Sequence, residues 1–231
     1  MTKVTVLIPA YNEEATIGRL LETVNEQVVE GIEFEVVVVD DGSTDGTVDF
    51  LRKNPHFYTK LIEQPRNQGK GAAVKAGLRE AFGDYVLFQD ADLEYDPADY
   101  AKLLLPVTRY SADVVMGSRL VAPQFTRVYY FWHKVGNRFI TLLFNILYNM
   151  TFTDIYSCYL VYRRDLLDAD HLRSTGWAQH AEILAKAVKK AKAIYEVPVS
   201  YHGRSYEEGK KIKAYHVIAV IGMIFRQRFL K

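Results

Sequence analysis

Short, almost wholly apolar runs recur along this chain, each followed by a polar loop and then by an amphipathic stretch. Val4 to Ile8, Phe34 to Val39, Tyr58 to Ile62, Tyr85 to Phe88 and Val114 to Met116 predict five strands. The second run is apolar at nearly every position, as a strand buried on both faces must be. Between the runs the period changes. Ile17, Leu20, Leu21 and Val24 recur at helical spacing, with Asn12 expected to cap the helix they belong to. Thr47 to Lys53 and Ala72 to Ala81 predict two more helices. Pro97 suits the first turn of another, running to about Pro106.

Strand–helix alternation of this kind implies an α/β fold with a mainly parallel central sheet and helices on both faces. Such sheets bind ligands at the carboxyl ends of their strands. The polar clusters of this chain fall there: Tyr11 to Glu13, Asp40 to Asp45, Arg66 to Lys70, Asp90 to Glu94, and Ser118-Arg119. Five strand ends supplying polar groups to one edge predict a nucleotide-sized polar ligand. After strand one the chain reads Pro9-Ala10-Tyr11-Asn12-Glu13, not the glycine fingerprint of dinucleotide-binding folds. Gln68-Gly69-Lys70-Gly71 is followed by Ala72, where a phosphate loop requires a hydroxyl.

Asp90, Asp92 and Glu94 stand at alternate positions. In extended backbone they would face one way, and three clustered carboxylates call for a cation. Oxygen ligands of this type suit Mg²⁺ or Mn²⁺. Taken alone, the stretch reads sooner as a solvated acidic loop before a helix, with Asp92 or Asp96 as its cap. The other four polar strand ends favour the metal site.

Composition narrows the setting. The 231 residues are 49% hydrophobic and 25% charged with net charge +1, which suits a packed globular protein and gives no reason to expect nucleic acid as a partner. Cys158 is the single cysteine, as expected in a reducing compartment. The first residues do not read as a signal peptide, and no apolar run approaches the roughly 20 residues of a bilayer span. Phe131, Trp132, Val135, Phe139, Leu142, Leu143, Ile146 and Leu147 make a broad apolar helical face, with Arg127, His133, Lys134 and Arg138 adding charge at its start. That pattern fits a core helix or a helix lying on a membrane surface. Val217 to Phe225, followed by Arg226 and Arg228, leaves the same choice. His180 and His202 fall near the expected site without the close His/Cys set that zinc requires.

Read together, PAYNEE at 9–14, VVVVDDGSTDGT at 36–47, NQGKGAAVKAGL at 67–78, DADLEYDP at 90–97 and GSR at 117–119 resemble family 2 glycosyltransferases of the GT-A nucleotide-diphospho-sugar transferase fold. The later segments FWHKVGNRFITLLFNILYN, TDIYSCYLVYRRDLL and IYEVPVSYHGRSYEEGKK are similar to the dolichyl-phosphate mannose synthase and polyprenyl-phosphate branch. The resemblance implies a catalytic domain over 1–210, with a nucleotide-binding half (1–120) and an acceptor half (121–210), and an amphipathic C-terminal helix over 211–231. It implies that Pro9, Tyr11, Glu13, Asp40 and Asp41 hold nucleobase and ribose, with Lys70 near the base edge. Asp90-Ala91-Asp92 would face the diphosphate, and Asp90, Asp92 and Glu94 the metal. Arg119, Arg204 and Lys210 would contact phosphates, and Asp92 and Arg119 would be catalytic.

The expected reaction is inverting transfer of a hexose from a UDP- or GDP-sugar to polyprenyl phosphate, peripherally at the cytoplasmic face of the membrane. Arg127, Lys134 and Arg138 are the expected acceptor contacts. A phosphate acceptor is already an anion, its second pKa lying near ~6, and needs no base. A saccharide or protein hydroxyl would need one. Glu182 and Asp154 are the candidates. A non-catalytic nucleotide-binding scaffold and a nucleotidyltransferase stay open as alternatives. The turn Asp154-Ile155-Tyr156-Ser157-Cys158-Tyr159 departs from the Thr-Ser-Gly-Phe-like turn of the mannose synthase pattern.

Overall fold

A computed structural model describes residues 1–121, 131–204 and 216–230. Seven strands form one sheet: β1 (Thr2–Ala10), β2 (Ile32–Asp40), β3 (Lys60–Glu63), β4 (Tyr85–Phe88), β5 (Val114–Ser118), β6 (Leu160–Arg163) and β7 (Ile194–Pro198). Their order is β3-β2-β1-β4-β6-β5-β7. All neighbours pair in parallel except β6, which runs antiparallel to both β4 and β5. The expected fold class is therefore found, with one reversed strand. The order reverses direction beside β1, so the carboxyl ends of β1 and β4 flank the crevice where such sheets bind ligands.

The helices are α1 (Ile17–Asn25), α2 (Thr47–Lys53), α3 (Lys70–Arg79), α4 (Tyr100–Tyr110), α5 (Phe131–Tyr148), α6 (Gln179–Lys190) and α7 (His216–Phe229). Two apolar layers cover the sheet. Residues of α1 and α4, including Leu20, Leu21, Leu103 and Leu104, fill one face. The other face receives Ala73, Val74, Ile140, Phe144, Ile183, Leu184, Val220 and Ile224 from α3, α5, α6 and α7. Each Val, Leu, Ile or Phe side chain among them contributes about 1.5–3 kcal/mol by leaving water.

Three local expectations change. Asn12 does not cap α1: its backbone is left-handed (φ 52°) and its side chain accepts from the Thr44 amide at 2.8 Å, tying the end of β1 to the loop after β2. The helix after Pro97 opens with a short 3₁₀ turn and runs through Pro106 to Tyr110. Proline removes only its own donor, and burial of Leu103, Leu104 and Val107 keeps the helix going. Finally, β6 and β7 have no strong period-2 signal. β6 is legible only through its neighbours, since it fills the slot between β4 and β5.

Candidate active site

The crevice is built first from backbone. β1 ends in Pro9 and Ala10 with Tyr11 next, and β2 ends in Asp40 with Asp41 next. Beside them lies a cleft of about 580 Å³ lined by Tyr11, Asp40, Ser43, Thr44, Arg66 and Asn67, among others. The paired aspartates divide their work. Asp41 is spent on the chain, accepting from the Gln68 amide at 2.8 Å and the Gly69 amide at 2.9 Å. Burial pushes its carboxyl up, only partly offset by those two amides. Asp40 uses one oxygen on the Gly42 and Ser43 amides, while its Oδ1 is buried without a partner beside the cleft. Asp40, more than Asp41, has an oxygen to spare for a ligand.

The glycine-rich stretch before α3 is explained by packing. Gly69 has a left-handed φ of 96°, and a Cβ at Gly71 would meet the Ser174 carbonyl oxygen at 2.5 Å. The close approach lets the Thr175 carbonyl accept from the Gly71 amide at 2.8 Å. α3 then starts at Lys70, whose ammonium lies 5.5 Å from the Trp177 ring centre and pairs with Asp90. Burial opposes both charges, but their attraction outweighs it: Lys70 is raised and Asp90 lowered.

β4 delivers the acidic stretch. Gln89, the residue after it, is fully buried and accepts hydrogen bonds from Tyr100 (2.9 Å) and Tyr159 (2.8 Å). Its amide in turn donates to the Asp90 carbonyl at 3.0 Å, which fixes the turn that follows. That turn is not extended. Leu93 is left-handed (φ 59°), and Asp92 Oδ1 accepts from the Glu94 amide at 3.1 Å. Strand alternation therefore does not align the three acids; the turn separates their partners. Asp90 faces Lys70, whereas Asp92 and Glu94 face Arg204. Ala91 is buried, its carbonyl accepting from Thr16 at 2.8 Å.

Arg204 sits among carboxylates. Its Nη2 donates to Asp92 at 2.9 Å, its amide donates to Glu94 at 2.7 Å, and Nη1 lies 3.5 Å from Glu13. The segment that carries it is pinned by backbone: His202 N donates to the Glu94 carbonyl at 2.8 Å, and Ser200 N to buried Asp99 at 2.5 Å. Tyr201 donates to Glu94 at 2.9 Å. Negative charge is still in excess. Burial and the charges of Asp90 and Glu94 push the Asp92 carboxyl up to about 7, against the pull of Arg204. A site that holds a carboxylate so high accommodates a further cation, and its oxygen donors suit a hard divalent ion. Among the described residues no three acidic, His or Cys side chains are gathered around one metal-sized position.

Arg119, at the end of β5, has a different partner. Asp154 takes it from both sides, through Nε at 2.7 Å and Nη2 at 2.9 Å, and also accepts its amide at 3.1 Å. Asp154 is fully buried, and Arg119 holds its carboxyl down despite that burial. The guanidinium packs 5.1 Å over the Tyr201 ring, so Arg119 and Arg204 are linked through Tyr201 and Glu94.

Glu182 is a correction. Expected as a base, it is fully buried in α6 and its oxygens are occupied: they accept from the Arg173 and Ser174 amides at 2.8–3.1 Å and pair with Lys186 at 3.1 Å. It holds the loop that holds the start of α3. Glu182→Ala is expected to destabilise the fold by about 3 kcal/mol, because two part-buried amides and an ammonium lose the buried carboxylate that accepts from them. Denaturant midpoints check this; an unchanged midpoint would contradict it. Asp154, the other candidate base, is equally committed to Arg119.

Lys134 and Arg138 are exposed on α5. Arg127 and Lys210 lie outside the described residues. Beside the two cations, Trp132, Val135, Phe139, Leu142 and Ile146 form an exposed apolar stripe at helical spacing, Trp132 being 76% and Ile146 70% exposed. α7, packed against α5, exposes Ile218, Phe225 and Phe229. No helix among the described residues is long and apolar enough to cross a membrane. Sequence reading missed Gln89, Tyr100, Tyr159 and Asp99. Their only signal is a polar group or tyrosine in an apolar context, which does not announce a partner.

A family model described as glycosyl transferase family 2 matches residues 5–170. The low-salt glycan biosynthesis hexosyltransferase Agl6 of Haloferax volcanii is 32% identical over 203 residues, covering 87% of this chain and 48% of its own length. The dolichol-phosphate mannosyltransferase of Pyrococcus furiosus is 29% identical over 220 residues, covering 92% of this chain and 61% of its own. The chain thus spans about half to three-fifths of these relatives. In structure it is similar to glucosyl-3-phosphoglycerate synthase from Mycobacterium tuberculosis, crystallised with Mn²⁺, UDP and phosphoglyceric acid. The TM-score is 0.74 at 21% identity, over 100% of this chain and 80% of that one, a likeness of fold.

Proposed function

The chain belongs to glycosyl transferase family 2, and from that premise we propose that it moves a hexose from a nucleotide sugar to polyprenyl phosphate, with inversion, while resting on the cytoplasmic face of a membrane. One observation carries the choice of acceptor. Asp154 and Glu182, the carboxylates read as possible bases for a hydroxyl, are both buried and engaged. A phosphate monoester, ionised near neutral pH, makes a base unnecessary. The name of the Pyrococcus furiosus relative points to the same acceptor class.

The nucleoside would enter the cleft lined by Tyr11 and Asp40, with Pro9 and Asp41 beside them in the chain. Asp92 and Glu94, with Asp90, would hold Mg²⁺ or Mn²⁺. Bound there, the ion would supply positive charge to the departing diphosphate. The chain's own contribution is a preset arrangement of cations. Lys70 is held by Asp90, Arg204 by Glu13, Asp92 and Glu94, and Arg119 by Asp154, so little reorganisation is needed as negative charge develops on the leaving group. Lys134 and Arg138, with Arg127, would draw the acceptor phosphate, while the apolar stripes of α5 and α7 would rest among lipid chains.

The test combines product and location. With labelled UDP- or GDP-hexose, a divalent ion and membrane extract, the sugar is expected in a lipid that mild acid cleaves, with the mass of a polyprenyl phosphate hexose. An acid-stable glycoside would overturn the lipid acceptor. In flotation with anionic vesicles the chain is expected to rise, and Ile146→Lys to reduce that fraction severalfold.

A further inference from the structure

Among the described residues, five buried side-chain atoms have no hydrogen-bond partner: Asp40 Oδ1, Arg204 Nε, Ser157 Oγ, Gln179 Oε1 and His180 Nε2. Unmet buried polar atoms are rare and destabilising, and each asks for an explanation. Two already have one: Asp40 borders the nucleoside cleft, and Arg204 sits among the acids of the diphosphate site. The other three are unused by the reading so far.

His180, and the chain neighbours of Gln179 and Ser157, lie by the Lys70–Asp90 pair. Gln179 and His180 open α6, whose N-cap Ala178 gives no side-chain cap. Trp177, two residues before Gln179, lies under the Lys70 ammonium. The His180 ring meets Phe88, the last residue of β4, with centres 6.4 Å apart, and Asp90 follows two residues later. The same imidazole senses the charges of Lys70, Asp90, Asp154 and Arg119. Ser157 lies between Tyr156, which senses Lys70, Arg119 and Asp90, and Cys158, whose thiol bonds to Asp90. Gln179 is 5% exposed, His180 8% and Ser157 1%, so bulk water does not satisfy them.

We propose that Gln179, His180 and Ser157 are specificity-determining contacts to the hydroxyl groups of the transferred sugar ring. The proposal rests on the donor being a nucleotide sugar, and it extends that reading by naming what selects the sugar. The chemistry matches a polyhydroxylated ring: an amide oxygen accepts, a neutral imidazole donates or accepts, and a hydroxyl does both. Burial, reinforced by Lys70, pushes the imidazole down to about 4, so it is uncharged at neutral pH. Three neutral groups suit a neutral hexose and offer no counter-charge to a carboxylated one. The cost of the unmet atoms in the free protein is recovered when the ring arrives.

The experiment uses His180→Phe, Gln179→Met and Ser157→Ala, with two readouts. Thermal midpoints of the free proteins are expected to stay level or rise, because each substitution removes an unmet polar atom. Calorimetry with Mn²⁺ then compares UDP and GDP with UDP-glucose and GDP-mannose. The variants are expected to bind the nucleoside diphosphates as the parent does, and to lose about ten-fold or more of the additional affinity for the sugar form. Unaltered additional affinity in His180→Phe and Gln179→Met would overturn the proposal, as would lowered midpoints with that affinity intact. A parent chain that binds no nucleoside diphosphate would overturn the glycosyltransferase reading and this proposal with it.

Discussion

Asp92→Asn is expected to lower turnover by about 10³-fold while leaving a folded protein. The carboxylate is proposed to hold the divalent ion and already orients Arg204 at 2.9 Å. An amide of the same shape keeps the turn but supplies no charge. The fold should tolerate the change because Asp92 is under electrostatic pressure: burial, Asp90 and Glu94 push its carboxyl up to about 7. The sign follows from proton linkage. A carboxyl with a raised pKa in the folded state binds more protons there than in the unfolded chain, between its ordinary 3.8 and about 7. Stability contributed at this position therefore falls as pH rises through that window. In metal-free buffer, the parent should lose thermal midpoint between about pH 4 and about pH 7 relative to Asp92→Asn. Turnover near the parent level in the variant would remove Asp92 from the mechanism. Parallel pH curves would show that the site is not charge-stressed.

The second large effect is at Arg119. Arg119→Ala should destabilise the protein by about 3–5 kcal/mol, because it leaves the Asp154 carboxylate buried without its partner. Arg119→Met with Asp154→Leu should recover much of that loss, since two apolar side chains replace a pair whose desolvation offsets its attraction. Activity should not return with it if Arg119 also faces phosphate. Denaturation curves and turnover of the three proteins separate the roles; a double variant as active as the parent would make the pair purely structural. Acid adds a check. Burial opposes the Asp154 charge, but Arg119 holds its pKa below the ordinary value. The stabilisation it contributes is therefore present above that ordinary value and is lost as pH falls through the lowered one. This slope should vanish in the double variant.

The fold and much of the site edge were legible as periods and punctuation. Tyr85–Phe88 and Thr47–Lys53 were placed to the residue, because a short apolar run and an amphipathic turn carry their own signals. The polar strand ends predicted a crevice, and Tyr11 and Asp40 line a cleft at the ends of β1 and β2. What the sequence does not carry is which partner the folded chain brings to a carboxylate. Glu182 and Asp154 looked like free acids, yet one caps a loop and the other clamps Arg119 across 35 residues. The alternation of Asp90, Asp92 and Glu94 suggested one shared face, but left-handed Leu93 turns the backbone between them.

Asp90-Ala91-Asp92 and its fellow motifs determined by themselves the fold class, the order of the elements and the edge where polar chemistry gathers. Those follow from local rules: hydrophobic period, turn residues and the chirality of crossovers. Only the tertiary structure decided which charges meet. It assigned Lys70 to Asp90, Arg204 to Glu13, Asp92 and Glu94, and Arg119 to Asp154. It also left Gln179 Oε1, His180 Nε2 and Ser157 Oγ without a hydrogen-bond partner. The reason is physical: a carboxylate in a sequence has no direction. Its role is set by burial and by the nearest opposite charge, and both are properties of the folded chain.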